Sequence, residues 1–156
     1  MWEGRRMFYT QMGTTAALEG SYTLPTPVPA SPYALVVEDD KAILSAVMFL
    51  LEMEGYAGLA FSDSPKVLPF LEQVEPKHLP SVILLDLMMP TVSGYEIAAQ
   101  LSQHEQFAHV PIIIMTADSR VHNVAAVPGA SDWLAKPFQI EALLTKIENY
   151  LPSPSN

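Results

Sequence analysis

The sequence predicts an α/β fold, a doubly wound parallel sheet of five strands with five helices, and two observations carry this prediction. Short apolar runs rich in leucine and β-branched residues, such as Val82–Leu85, recur from residue 33 onward. Each run has the pattern of a strand that is buried on both faces. Between these runs lie segments whose apolar residues recur at helical spacing. Strands that alternate with helices in this way form parallel sheets.

The five predicted strands lie near residues 33–37, 57–60, 82–86, 111–115 and 131–135. Helices are predicted near residues 40–54, 65–74, 94–103, 120–126 and 138–150. In the first helix Ile43, Val47 and Leu50 share one face. Gly55 follows that helix as a C-terminal cap residue. The helices thus predict apolar faces that pack on the sheet.

Residues at the ends of the other helices support their bounds. Ser64 is expected to cap the second helix because proline, at position 65, is favoured in the first helical turn. Ser93 is the corresponding cap of the third helix. The fourth helix is expected to be short because Pro128 cannot continue it. Pro152 ends the fifth.

The chain divides into a tail, a domain and a second short tail. Residues 1–32 are expected to form a flexible tail, since residues 1–22 show no helical or strand period and four prolines follow, Pro25, Pro27, Pro29 and Pro32. The domain covers residues 33–151. Residues 152–156 form the C-terminal tail, so we expect no DNA-binding output domain there.

Composition excludes several classes of protein and site. The chain has 156 residues, 49% of them hydrophobic, and no cysteine. It therefore has no disulfide framework, thiolate metal site or cysteine nucleophile. The net charge is −9 and the basic residues are scattered, so direct binding of nucleic acid lacks its usual basic surface. No apolar run reaches the roughly 18 residues of a membrane span, and we expect a cytoplasmic protein.

Polar residues follow four of the predicted strands at their C-terminal ends. The first strand runs into Glu38 and Asp39, the third ends at Asp86, the fourth runs into Thr116, and the fifth runs into Lys136. Open α/β sheets bind their ligands at this edge. Each residue alone could be a helix cap, a turn residue or a surface residue. Polar residues at the ends of four strands together predict a site. The next acid, at position 40, is better explained as a helix N-cap.

The sequence around these residues resembles a response-regulator receiver domain, the phosphoacceptor half of two-component signalling. The resemblance covers residues 33–151 and rests on Val-Val-Glu-Asp-Asp at 36–40, Leu-Leu-Asp-Leu-Met-Met-Pro at 84–90, Gly94, Met-Thr-Ala at 115–117 and the segment 129–138. It implies a flavodoxin-like sheet with strand order 2-1-3-4-5.

The resemblance also implies a Mg²⁺ site. Its ligands would be Asp39, Asp86 and the backbone carbonyl of Met88, with Glu38 acting through water. Mg²⁺ prefers oxygen ligands and keeps several waters, and a cation offsets the repulsion between clustered carboxylates. The methionine side chains beside the site, Met88 and Met115, are expected to fill the core.

The resemblance assigns the phosphoryl chemistry to three residues. Asp86 would be the phosphoacceptor, Lys136 would pair with the phosphoryl group, and Thr116 would donate its hydroxyl to a phosphoryl oxygen. Thr116 and Trp133 would form the conformational switch, although the family usually has tyrosine or phenylalanine in place of this tryptophan.

The function implied is that of a phosphoacceptor rather than an enzyme. The donor would be a histidine kinase or a histidine phosphotransfer protein, and the output would be contact with a downstream protein target. Two alternatives remain open. A phosphorylation-independent adaptor would not need clustered like charge. A phosphatase with an aspartate nucleophile would carry Asp-x-Asp, but Asp86-Leu87-Met88 lacks the second aspartate.

Overall fold

The strands of the domain form one parallel sheet. The computed structural model describes residues 9–11, 28–30, 32–121 and 126–154. In chain order the strands are β1 (Tyr9–Gln11), β2 (Ala34–Val37), β3 (Gly58–Phe61), β4 (Val82–Asp86), β5 (Ile112–Thr116) and β6 (Ala130–Ala135). Their spatial order is β1-β3-β2-β4-β5-β6, and all neighbours are parallel. The five predicted strands are β2 to β6, and when they are numbered 1 to 5 their order is 2-1-3-4-5, as predicted.

Strand β1 is an addition that the sequence did not predict. It pairs with β3 in parallel, with Thr10 opposite Ala60. Three residues are too few to show the alternation that identifies a strand, whereas the edge of β3 offers unpaired backbone groups to any extended segment. Of the rest of the predicted tail, residues 1–8, 12–27 and 31 lie outside the described residues, whereas Val28 packs against the core and Pro29 is buried, so this part of the tail does not hang free as predicted.

Four of the five predicted helices are present among the described residues. They are α1 (Lys41–Met53), α2 (Val67–Gln73), α3 (Gly94–Gln103) and α4 (Ile140–Glu148). Two short 3₁₀ turns, Ser64–Lys66 and Pro76–His78, accompany them. The remaining prediction, a helix near residues 120–126, falls largely on residues 122–125, which lie outside the described residues. Arg120 itself lies in a turn.

The helix ends confirm two predicted caps and correct one. The Asp40 carboxylate accepts hydrogen bonds from the backbone N–H groups of residues 42 and 43. Ser93 and Glu96 form a reciprocal capping box at the start of α3. Ser64, in contrast, makes no cap: it is buried in a 3₁₀ turn, and its hydroxyl donates to the carbonyl of Pro90 at 3.3 Å. This tertiary contact takes the hydroxyl away from the helix.

The core has two apolar layers, one on each face of the sheet. On one face Ile83 and Leu85 of β4 pack with the apolar residues of α2 and α3. On the other face Val82 and Leu84 pack with those of α1 and α4. Because both faces of β4 are covered, its sequence is a continuous apolar run rather than an alternating one. Within the part of the chain that the structure describes, no helix combines the length and apolarity needed to cross a membrane.

Candidate functional site

The structure brings the predicted polar residues together at the C-terminal edge of the sheet. Glu38 and Asp39 follow β2, Asp86 is the last residue of β4, Thr116 is the last of β5, and Lys136 follows β6. These four strands are consecutive in the sheet and parallel. The strand ends therefore meet at one edge, as predicted.

Three of these residues form an acidic cluster. Carboxylate oxygens of Glu38, Asp39 and Asp86 all lie within 4.8 Å of one another. Glu38 is 1% exposed and Asp86 4% exposed, while Asp39 is half-buried. Charges of like sign repel strongly where water is excluded, so the cluster needs a cation nearby.

Lys136 supplies one positive charge to this cluster. Its ammonium forms an ion pair with the Glu38 carboxylate and lies 3.4 Å from Oδ1 of Asp86. Its side chain is only 13% exposed. The backbone N–H of Lys136 also donates to the carbonyl of Thr116 at 2.8 Å, which fixes where the side chain begins. One ammonium thus faces two buried carboxylates.

The pKa values of Glu38 and Asp86 are raised, which indicates that the positive charge nearby does not fully compensate the two carboxylates. Burial raises the pKa of Glu38 to about 7, against the opposing effect of the Lys136 hydrogen bond. Burial also raises the pKa of Asp86, again opposed by the charge of Lys136. Desolvation disfavours the ionised form, and a single lysine does not offset it. The pocket is therefore suited to a further cation.

The raised pKa of Glu38 predicts how stability depends on pH in metal-free protein. Between the ordinary carboxyl value of 4.5 and about 7, folded protein holds a proton that unfolded protein has lost. The free energy of unfolding should therefore fall as pH rises through this window, with full stability below it. Urea unfolding at several pH values measures the slope, which should be smaller in Glu38→Gln. Equal slopes in the two proteins would contradict the assignment.

Backbone groups hold the two buried carboxylates in place. The N–H of Asp40 donates to Oε1 of Glu38 at 3.2 Å, and the N–H of Met88 donates to Oδ1 of Asp86 at 3.3 Å. The Met88 side chain is 60% exposed, so its prediction as core filling was wrong, whereas Met115 is fully buried. Its neighbours Leu87 and Met89 are buried instead, so the Met88 side chain is the one that points to solvent in this loop. The role of the Met88 carbonyl as a metal ligand stays a prediction.

A glycine lets the start of α3 approach the end of β4. Gly94 donates its N–H to the carbonyl of Leu87 at 2.9 Å. A Cβ atom at this position would lie 2.0 Å from the backbone oxygen of Asp86 and 2.7 Å from Cα of Leu87. Only a residue without a side chain fits, so Gly94 sets the backbone that carries Asp86.

The segment after β5 contains contacts that the sequence did not indicate. Thr116 is buried, and its Oγ1 accepts a hydrogen bond from the N–H of Asp118 at 2.9 Å. The Asp118 carboxylate accepts from the Tyr95 hydroxyl at 3.4 Å and forms an ion pair with Arg120. Tyr95 and Asp118 stand 23 residues apart, so no local pattern joins them.

Trp133 lies on β6, the strand next to β5. It is half-buried in β6, opposite Ile114, and packs against the core layer that α2 and α3 cover. The side chain is thus placed beside β5, the strand that ends at Thr116. Its part in a switch stays a prediction.

Comparison with known proteins gives consistent matches. Residues 34–148 match the family model of the response regulator receiver domain. The DNA-binding dual master transcriptional regulator RpaA of Synechocystis sp. is 33% identical over 122 residues, which are 77% of this chain and 49% of that protein. The response regulator ArlR of Staphylococcus saprophyticus is 36% identical over 120 residues, which are 75% of this chain and 51% of that protein. The chain spans about half the length of the curated relatives it matches.

Solved structures share the fold. Vibrio cholerae chemotaxis protein CheY4 superposes with a TM-score of 0.66 at 28% identity, covering 77% of this chain and 98% of that one. The Francisella response regulator 1452 receiver domain gives a TM-score of 0.66 at 28% identity, covering 76% and 95%.

Proposed function

This chain belongs to the family of response regulator receiver domains, and we propose on that basis that it accepts a phosphoryl group on Asp86 and signals through protein contact. The observation that carries the proposal is the arrangement around Asp86. Its carboxylate is nearly buried, Glu38 and Asp39 lie beside it, and Lys136 stands 3.4 Å away. Phosphoryl transfer requires a nucleophilic carboxylate with positive charge beside it, which Lys136 supplies directly and the two acidic neighbours would supply by binding a cation.

The phosphoryl group would be transferred in a single displacement at phosphorus. An Asp86 oxygen attacks the phosphorus of a phosphohistidine on the donor protein, a P–O bond forms, and the N–P bond breaks. The electron pair of that bond returns to the imidazole, which leaves. The product is an acyl phosphate on Asp86. No covalent chemistry is asked of other residues, whose work is to hold the phosphoryl group and offset its charge.

Lys136 changes partners in this proposal. Without a phosphoryl group its ammonium is shared between Glu38 and Asp86. Phosphorylation places new negative oxygens at the end of the Asp86 side chain. The ammonium can then pair with one of them as a point charge, and the Thr116 hydroxyl can donate to another. The reorganisation of this small set of groups would report phosphorylation to the surface.

The acidic cluster fits a Mg²⁺ ion. The donors are carboxylate oxygens within 4.8 Å of one another, and burial has raised the pKa values of two of them. Asp39, Asp86 and the Met88 carbonyl would hold the ion, with Glu38 acting through water. When bound, Mg²⁺ would neutralise charge on the carboxylates and on the incoming phosphoryl oxygens.

The proposed partners follow from the chemistry of the donor. A phosphohistidine lies on a histidine kinase or a histidine phosphotransfer protein, so one of these would supply the group. The downstream partner would be a protein that binds the phosphorylated domain. We propose no direct contact with nucleic acid, because the chain has 17 acidic and only 8 basic residues.

Acetyl phosphate provides a direct test that needs no kinase. With Mg²⁺ present, the full chain should gain the mass of one phosphoryl group, and alkali should remove it because acyl phosphates hydrolyse. Intact-mass spectrometry measures both results. A chain that stays unmodified at saturating acetyl phosphate would overturn the proposed function.

The metal can be tested separately through Trp133. In a Trp2→Phe variant Trp133 is the only tryptophan, and adding Mg²⁺ should change its fluorescence as the nearby charges rearrange. Asp39→Asn in that background should weaken Mg²⁺ binding about tenfold or more, because a half-buried carboxylate ligand is lost. Asp63→Asn, at a surface ion pair with Lys66, is the control and should leave the titration unchanged. Identical titrations in Asp39→Asn and the control would refute the metal site.

A further inference from the structure

The Thr116 hydroxyl is held by the segment that follows it. Oγ1 accepts from the N–H of Asp118 at 2.9 Å, while the Thr116 carbonyl accepts from the N–H of Lys136 at 2.8 Å. A hydroxyl has one hydrogen to donate and two lone pairs. With one lone pair occupied by the Asp118 N–H, the direction left for the hydrogen depends on where that N–H lies.

The position of the Asp118 backbone depends in turn on its side chain. Nε and an Nη atom of Arg120 donate to the two carboxylate oxygens at 2.9 and 2.7 Å. The backbone N–H of Arg120 adds a bond of 3.0 Å to Oδ1. The Asp118 side chain is 8% exposed, whereas that of Arg120 is 82% exposed. Arg120 therefore covers the carboxylate and closes the segment into a fixed turn, with a planar fork that holds both oxygens.

Tyr95 connects this turn to α3. Its hydroxyl donates to Oδ2 of Asp118 at 3.4 Å, and its ring packs against the core layer on that face of the sheet. Tyr95 follows Gly94, the residue that lies against the backbone of Asp86. Inside the pocket Lys136 contacts both Asp86 and Thr116. Outside the pocket the start of α3 and the Asp118 turn form a second connection between β4 and β5.

We propose that Tyr95, Asp118 and Arg120 are positioning residues that aim the Thr116 hydroxyl at the phosphoryl group on Asp86. None of the three needs to touch the phosphoryl group. Their effect passes through the Asp118 N–H, which the side chains hold in place. This role presupposes the proposed phosphoacceptor function of Asp86 and deepens it.

The exposure of Arg120 distinguishes a positioning role from a contribution to the stability of the fold. Ion pairs with an exposed partner contribute little to folding. Loss of the Arg120 pair in Asp118→Ala should therefore cost little stability, while the variant releases the backbone N–H that orients Thr116. A small misplacement of a group that acts on a transferring phosphoryl is costly to rate.

The test is a double-mutant cycle on labelling of the full chain by acetyl phosphate, with Mg²⁺. Asp118→Ala should lower the maximum labelling rate constant by about tenfold, and Tyr95→Phe should lower it by less. The acetyl phosphate concentration at half-maximal rate should stay the same, since substrate binding is not affected. In a Thr116→Ala background, Asp118→Ala should cause no further loss, because the hydroxyl it positions is gone.

Two variants serve as controls. Asp118→Asn keeps an oxygen in the Oδ1 position that can accept from the N–H of Arg120, so it should recover most of the rate. Glu75→Ala removes an exposed ion pair with Lys77 elsewhere and should label normally. Equal losses from Asp118→Ala with and without Thr116, or no loss at all, would overturn the positioning role. Failure of the wild-type chain to be labelled would instead overturn the phosphoacceptor function itself.

Discussion

Asp86→Asn should take up no phosphoryl group from acetyl phosphate under conditions that label the wild-type chain fully. An amide oxygen is a far weaker nucleophile than a carboxylate, and it cannot form an acyl phosphate. The side chain stays similar in size, so its hydrogen bond from the Met88 N–H can be kept. The loss of one buried negative charge should also lower the pKa of Glu38, whose ionisation Asp86 now opposes. Intact-mass spectrometry reads the labelling and urea unfolding confirms the fold.

Lys136→Ala separates charge neutralisation from nucleophilic attack in the same assay. The nucleophile remains, but the developing charge loses its ammonium, so labelling should slow by about a hundredfold rather than vanish. Lys66→Ala, which breaks only a surface ion pair with Asp63, is the matched control for loss of a lysine. Normal labelling of Asp86→Asn would show that the phosphoryl group goes elsewhere and would reject Asp86 as acceptor.

Gly94→Ala should destabilise the fold strongly, by about 3 kcal/mol or more. The added Cβ would lie 2.0 Å from the backbone oxygen of Asp86 and 2.7 Å from Cα of Leu87. Both neighbours are backbone atoms, so α3 and the end of β4 must move apart for the methyl group to fit. The hydrogen bond from the Gly94 N–H to the Leu87 carbonyl would then break. Urea unfolding measures the loss.

Gly58→Ala provides the comparison for this steric prediction. There the added Cβ would meet only side-chain ends, Cε of Met48 at 3.1 Å and Cδ1 of Leu51 at 3.2 Å. A methionine side chain adapts readily, so the cost should be no more than about 1 kcal/mol. Similar losses in the two variants would contradict the argument from backbone approach. A folded Gly94→Ala protein that labels at the wild-type rate would do the same.

The sequence predicted well which polar residues lie at the C-terminal edge of the sheet. In a parallel sheet buried on both faces, each strand must be a short apolar run, and its first polar residue marks the ligand-binding edge. Glu38, Asp39, Asp86, Thr116 and Lys136 could therefore be picked out one strand at a time. The Asp40 cap was also correct, because a capping side chain contacts only the next turn of its own helix. Local chemistry was enough in each case.

Contacts between distant segments were decided by the tertiary structure alone. No sequence pattern indicated β1, since pairing at a sheet edge uses backbone groups that nearly every residue carries. Ser64 has the residue type and spacing of a cap, but the carbonyl of Pro90 lies within reach and takes its hydroxyl. The hydrogen bond from Tyr95 to Asp118 exists because α3 and β5 are neighbours in space. Residue types and their spacing along the chain determine strands, caps and the edge of the site, because these depend on neighbours in sequence. Hydrogen bonds between polar groups that are distant in sequence depend on how the layers pack, and only the tertiary structure determines that packing.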